Sequence, residues 1–184
     1  MRIFQNFITF QIGWFACVLG ASTDKAWVGL VIAMIVVLFH LYSDDDPMAE
    51  VKLIFTAMLL GLILDGLLTS SNWLIYANQN GQSFVPPYWI IALWAIFATT
   101  INVTLKWMHS RYVIACIFGM IGGPLSFIAG KELGAVVFIQ PTQALLALAI
   151  GWGIAMPLLI YCASHFGNTS YKLKSLTIGN KGTL

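Results

Sequence analysis

Of the seven carboxylate side chains in the sequence, that of Asp65 is set deepest in apolar residues, within VKLIFTAMLLGLILDGLLTSSNWLIYA at 51–77. A stretch of this length can cross a bilayer. An ionisable group inside such a stretch is costly unless it faces protein or water, so Asp65 is the first candidate for a functional residue. On the bland alternative, Thr69-Ser70-Ser71-Asn72 ends the helix near Ser70, which leaves Asp65 little more than a turn from the surface and in need of an interfacial partner only. The second candidate is Gly119-Met120-Ile121-Gly122-Gly123-Pro124-Leu125-Ser126. Gly119 and Gly123 are spaced to let another helix approach closely. Pro124 withdraws a backbone donor, and a break there is tolerated in a membrane only where protein or a cavity satisfies the freed groups. Together these residues predict a pocket in the outer half of the protein. Gly122, Gly123 and Pro124 open the backbone, Ser126 stands beside them, and Asp65 and Lys131 meet the polar group of an amphipathic, lipid-like molecule.

Other chemistries find less support. His40 and His165 fall in two different apolar segments and could ligate haem or a metal, but their scattered spacing favours ordinary interfacial hydrogen bonds, and no metal or cofactor is expected. The run Asp44-Asp45-Asp46-Pro47 reads as a helix N-terminus, with a cation site as the alternative. There is no Gly-x-Ser-x-Gly elbow, no phosphate-cradling Gly-x-x-x-x-Gly-Lys loop and no His-Glu-x-x-His pair. Asp65-Gly66 lacks the further aspartates of a metal-dependent headgroup transferase. Three cysteines, Cys17, Cys116 and Cys162, lie in separate apolar segments and read as small buried residues rather than a disulfide framework.

The elements that must position these groups follow from composition. With 59% hydrophobic and 9% charged residues among 184, the chain is too apolar for a soluble domain. Its formal net charge of +2 and the lack of a long basic run leave no nucleic-acid footprint. About 20 apolar residues make one helical span. Six segments qualify, at 4–21, 26–43, 49–70, 87–108, 112–130 and 143–165, predicting an all-α integral membrane bundle. The first is read as a retained span rather than a signal peptide, since Gln11 and Trp14 interrupt its apolar run. Residues 1–166 form one domain on this reading and 167–184 a polar, mobile tail. If the N-terminus is cytoplasmic, that side receives Arg2, Lys52, Lys106, Arg111, Lys172, Lys174 and Lys181 against Lys25 and Lys131 on the other. Seven against two places both termini in the cytoplasm. Trp73, Tyr76, Tyr88 and Trp89 then suit an aromatic belt at the outer interface, with Asn78-Gln79-Asn80-Gly81 as a wet turn.

Distance along each span converts to depth. Asp65 lies about 22 Å from the cytoplasmic start of its helix, level with Trp14, Cys17, Trp94 and Ser126, with Lys131, Glu132 and Gln143 nearer the outer surface. A second, inner polar layer holds Gln11, His40 and Asn102, with Glu50 and Lys106 at its edge.

At Asn6-Phe7, at Gln11 through Ala21, from Trp94 to Trp107, and at Gly122-Gly123-Pro124-Leu125-Ser126 with Ala129-Gly130, the chain resembles a family of small bacterial inner-membrane proteins catalogued as a domain of unknown function. The resemblance covers nearly the whole length and implies a bacterial cytoplasmic-membrane location. Through the association of its members with genes of fatty-acyl-chain modification and oxidative stress, it also hints at lipids. It transfers no catalytic residue. Three readings follow: a protein that binds or passes a lipid-like molecule, an accessory subunit that docks a membrane-protein partner or a second copy of itself, and an integral-membrane enzyme of lipid modification.

Overall fold

A computed structural model describes residues 2–79 and 84–179, the stretch 168–179 as helix backbone only. Six α-helices follow one another as α1 (Arg2–Ser22), α2 (Ala26–Tyr42), α3 (Pro47–Ser70), α4 (Tyr88–Ile101), α5 (Tyr112–Glu132) and α6 (Pro141–Gly179). Two short strands, β1 (Leu74–Tyr76) and β2 (Val136–Phe138), lie after α3 and α5. Four helical stretches, Arg2–Ser22, Pro47–Ser70, Tyr112–Glu132 and Pro141–Gly167, are long and apolar enough to cross a membrane. With 17 and 14 residues, α2 and α4 are apolar but shorter. Large apolar side chains such as Phe4, Ile12, Phe55, Ile63, Ile121 and Ile154 point outward from the long helices, as befits a surface solvated by acyl chains.

Consecutive helices pack as hairpins, α1 on α2, α3 on α4 and α5 on α6. The α1–α2 turn puts Asp24 at φ 56° and lets Lys25 N donate to Gly20 O at 2.7 Å. Helix α4 is the centre, touching α1, α2, α3 and α6, with ten of its 14 residues buried. A helix that is apolar on every side belongs in such a place, shielded from lipid by its neighbours.

Several expectations change. The fourth helix stops at Ile101 instead of running to Met108. Thr99 and Thr100 turn their hydroxyls back to the carbonyls of Ile96 and Phe97, at 2.7 and 2.6 Å, and the chain continues as tight turns with Leu105 N on Thr100 O at 2.8 Å. Side chains that compete for backbone acceptors weaken a helix where they cluster. The backbone of α5 is not broken at Pro124; the helix runs through to Glu132. Likewise α6 has no end at Gly167 and continues to Gly179.

Tyr76 and Trp89 are no interfacial belt, for each is only 1% exposed. Tyr76 is drawn inward because β1 pairs with β2, antiparallel, with Leu74 opposite Phe138, Ile75 opposite Val137 and Tyr76 opposite Val136, and Trp89 Nε1 donates to Ala77 O just beyond β1 at 3.0 Å. The pair is clamped at one end by Ala77 N on Ala135 O and at the other by Ile139 N on Trp73 O, both 2.9 Å. Residues 80 and 81 of the expected wet turn and 180–184 of the expected tail lie outside the described residues.

Candidate functional site

Asp65 sits on α3 one turn after Gly61, so the two share a helix face. A β-carbon at position 61 would lie 2.1 Å from the Trp94 ring, so only glycine lets that indole lie flat on α3. So placed, Trp94 Nε1 donates to Asp65 Oδ2 at 2.6 Å. From the strand side, Tyr76 Oη donates to Asp65 Oδ1 at 2.5 Å. The carboxylate is 1% exposed, and both its oxygens are satisfied by neutral donors. Asp65 is therefore a buried acceptor for α4 and β1 and not an interfacial group.

Trp94 continues into an aromatic column. Its other face stacks on Trp152 of α6, with ring centroids 4.5 Å apart and planes 12° from parallel. Trp152 in turn lies against α5, where a β-carbon at Gly123 would meet its ring at 2.3 Å. Phe97 stands edge-on to both indoles, at 6.4 and 5.1 Å. Four helices are thus joined through ring contacts that two glycines make room for.

Beside this column a cavity of about 400 Å³ opens between α1 and α5. Phe10, Gln11, Trp14 and Phe15 of α1 form one wall, and Phe118, Gly119, Gly122, Gly123, Leu125 and Ser126 of α5 the other. Phe97, Trp152 and Met156 make the floor. Phe15, Phe118 and Leu125 are exposed at the rim, so the mouth faces sideways, out of the bundle. Polar atoms come from Gln11 and from Ser126, whose hydroxyl accepts the Trp14 Nε1 hydrogen bond at 3.3 Å. A smaller cleft of about 60 Å³ shares Phe10, Trp14, Phe97, Ser126 and Trp152 with it and reaches Asp65.

Of the residues expected in the outer pocket, Gly122, Gly123 and Ser126 line the cavity and Asp65 lies behind it. Pro124 is half-buried in α5 and lines none of these spaces. Lys131 is not brought to Asp65. It is exposed at the end of α5, with its ammonium 3.1 Å from Glu132. Gln11 belongs to the cavity and not with the inner layer. The remaining two members of that layer meet at the opposite end of the bundle from the strands, where Glu50 joins them: His40 Nε2 lies 2.8 Å from Glu50 Oε2, and Asn102 Nδ2 donates to Glu50 Oε1 at 2.6 Å. Nearby, Arg2 pairs with Asp44. His165 lies against Tyr161 and Phe166. His109, in the turn after α4, is held by the Ile101 carbonyl and Ser164, and burial pushes its imidazole below the ordinary value.

Sequence reasoning missed Tyr76 and Trp152 as members of the site. Trp152 carried a usable signal, since Gly151 and Gly153 flank it and open that part of α6 to neighbours. No curated protein and no solved structure matches the chain. A family model described as Protein of unknown function (DUF2878) matches residues 3–158, and the chain belongs to that family.

Proposed function

We propose that this member of the family binds or passes an amphipathic, lipid-like small molecule in the cavity between α1 and α5. The observation that carries this reading is the cavity itself: about 400 Å³, walled by aromatic rings, with few polar atoms and a mouth that opens sideways between α1 and α5. Small-molecule sites have this size and this make-up, mostly apolar with a few fixed polar groups. Ser126 and Gln11 would meet the polar part of the ligand, and Asp65 would act through Trp94, which stacks on the Trp152 ring at the cavity's floor.

The setting we propose is a bacterial cytoplasmic membrane crossed six times, with both termini in the cytoplasm and residues 1–166 as one bundle. The positive residues at the Arg2 end support that orientation, and the burial of α4 supports a span shorter than the hydrocarbon core.

Gly122 provides the test. A β-carbon there would meet nothing closer than Phe118 at 3.8 Å, so a larger side chain at this position fills the cavity without striking the packed helices. A brominated fatty acid titrated into the detergent-solubilised protein is expected to quench Trp14 and Trp152 fluorescence saturably in wild type and Gly122→Ala. The saturable part should vanish in Gly122→Phe. Equal quenching in Gly122→Phe would refute the cavity as the binding site.

The accessory-subunit reading has one observation of its own. An apolar groove of about 740 Å³ runs between α2 and α3 over α4, lined by Leu30, Met34, Val37, Ile54, Met58 and Ile91 among others. A partner's transmembrane helix would fill it, and co-purification of one membrane protein, lost in Met34→Asp, would favour this reading.

A further inference from the structure

The chain's second buried carboxylate lies far from the cavity and has a different kind of neighbour. Glu50, on the first turn of α3, is 3% exposed, and His40, on the last turn of α2, is 7% exposed. Asp44, in the connection between them, turns its carboxylate toward the same point. One donor atom from each of the three lies within 4.8 Å of the others. We propose that His40, Asp44 and Glu50 form a binding site for one first-row divalent cation of the Zn²⁺ or Mn²⁺ class.

The donor set argues for that class. One imidazole nitrogen with two carboxylates suits a borderline or moderately hard ion better than Cu⁺, which favours sulfur, or Mg²⁺, which favours an all-oxygen shell with water. Bonds of about 2.0–2.2 Å would hold neighbouring donors roughly 3 Å apart. The 2.8 Å separation of His40 Nε2 and Glu50 Oε2 is close to that spacing and needs only a slight opening. Glu50 is held from behind as metal ligands commonly are, since Asn102 donates to its other oxygen and so leaves Oε2 turned toward His40. Asp44 is braced too, with Oδ1 accepting the Asp46 backbone N–H at 2.9 Å. A cleft of about 50 Å³, lined by Arg2, Gln5, Asn6 and Thr9 among others, opens beside His40.

Arg2 is the competing charge. It pairs with Asp44 from the start of α1, and its side chain is 52% exposed, so an incoming cation can displace it toward solvent. A bound ion would tie the end of α2 to the start of α3 and, through Asn102, to the end of α4. None of these residues lines the α1–α5 cavity, so the site stands or falls independently of the ligand reading.

The full chain in detergent, stripped with a chelator, should take up one Zn²⁺ per molecule in a calorimetric titration, with a rise in thermal midpoint. Mg²⁺ should fail to compete. Glu50→Gln and His40→Gln should each weaken Zn²⁺ at least about tenfold, and Asn102→Ala, which removes only the bracing donor, by about tenfold. Arg2→Gln should tighten it, and His165→Gln should leave it unchanged. If Glu50→Gln misfolds, Asp44→Asn carries the same test, because Asp44 lies in a connection and not in a packed helix. The proposal is overturned by absence of saturable one-to-one binding, by equal affinity in Asp44→Asn, or by loss in His165→Gln alone. In each case His40 and Glu50 are a buried hydrogen-bonded pair and nothing more.

Discussion

Asp65 shows what a buried carboxylate can do without a cationic partner. Its two oxygens take hydrogen bonds from Tyr76 and Trp94, and removing it affects those two donors differently from removing only its charge. An amide in its place could accept from Trp94 Nε1 through its oxygen and donate to the Tyr76 hydroxyl, which can serve as acceptor. Asp65→Asn is therefore expected to unfold within about 1 kcal/mol of wild type, whereas Asp65→Ala strands both donors at about 1–3 kcal/mol each. Thermal unfolding in one detergent would rank them, and an Asn variant as unstable as the Ala variant would mean that the charge itself holds the fold. The part of this site on regular helices was legible beforehand. Depth along a helix follows from residue number, so Trp94 could be set level with Asp65 and Trp14 level with Ser126. Tyr76 could not, because it reaches Asp65 from a strand that folds back into the bundle.

Among the elements, the strand pair is the one least visible in the sequence. Each strand is three residues long, and α4 and α5 separate them in the chain, so neither a hairpin turn nor a period-two pattern of useful length marks them. The six helices were legible because apolar runs of that length leave few alternatives. The early end of α4 was not, since it depends on threonine hydroxyls turning inward and on Asn102 reaching Glu50 across to α3. The register of the strands is open to a direct check. Ile75 and Val137 are opposite one another and both exposed, at 42% and 56%, so cysteines there disturb no core contact. In a background lacking Cys17, Cys116 and Cys162, the pair Ile75→Cys and Val137→Cys should oxidise readily to an intramolecular disulfide. Ile75→Cys with Ile139→Cys, two residues out of register, should not. Equal yields would mean that β1 and β2 are not paired as described.

At the scale of the whole molecule, side-chain contacts show which connections share an end. Arg2 pairs with Asp44, and Thr104 reaches the Ile3 carbonyl, so the N-terminus, the α2–α3 connection and the α4–α5 connection lie together. Asn78 donates to Asp24 at 2.8 Å, which puts the α1–α2 connection at the strand end. Connections therefore alternate between the two ends, as a serial up-and-down bundle requires. The difficulty for six crossings is α4, whose 14 residues rise only about 21 Å against a hydrocarbon core of about 30 Å. Non-helical backbone is tolerated at membrane depth where protein covers it. The turns that follow α4 meet that condition, for Val103, Leu105 and Met108 are buried and their backbone amides bond within the segment. On this argument, cysteines at Thr23 and Glu132 should react with a membrane-impermeant maleimide in intact cells, and cysteines at Asp45 and Ser110 only after the membrane is opened. Labelling of Asp45→Cys in intact cells, with Thr23→Cys also labelled, would mean that α2 does not cross. The cavity mouth between α1 and α5 would then have to be placed anew relative to the lipid.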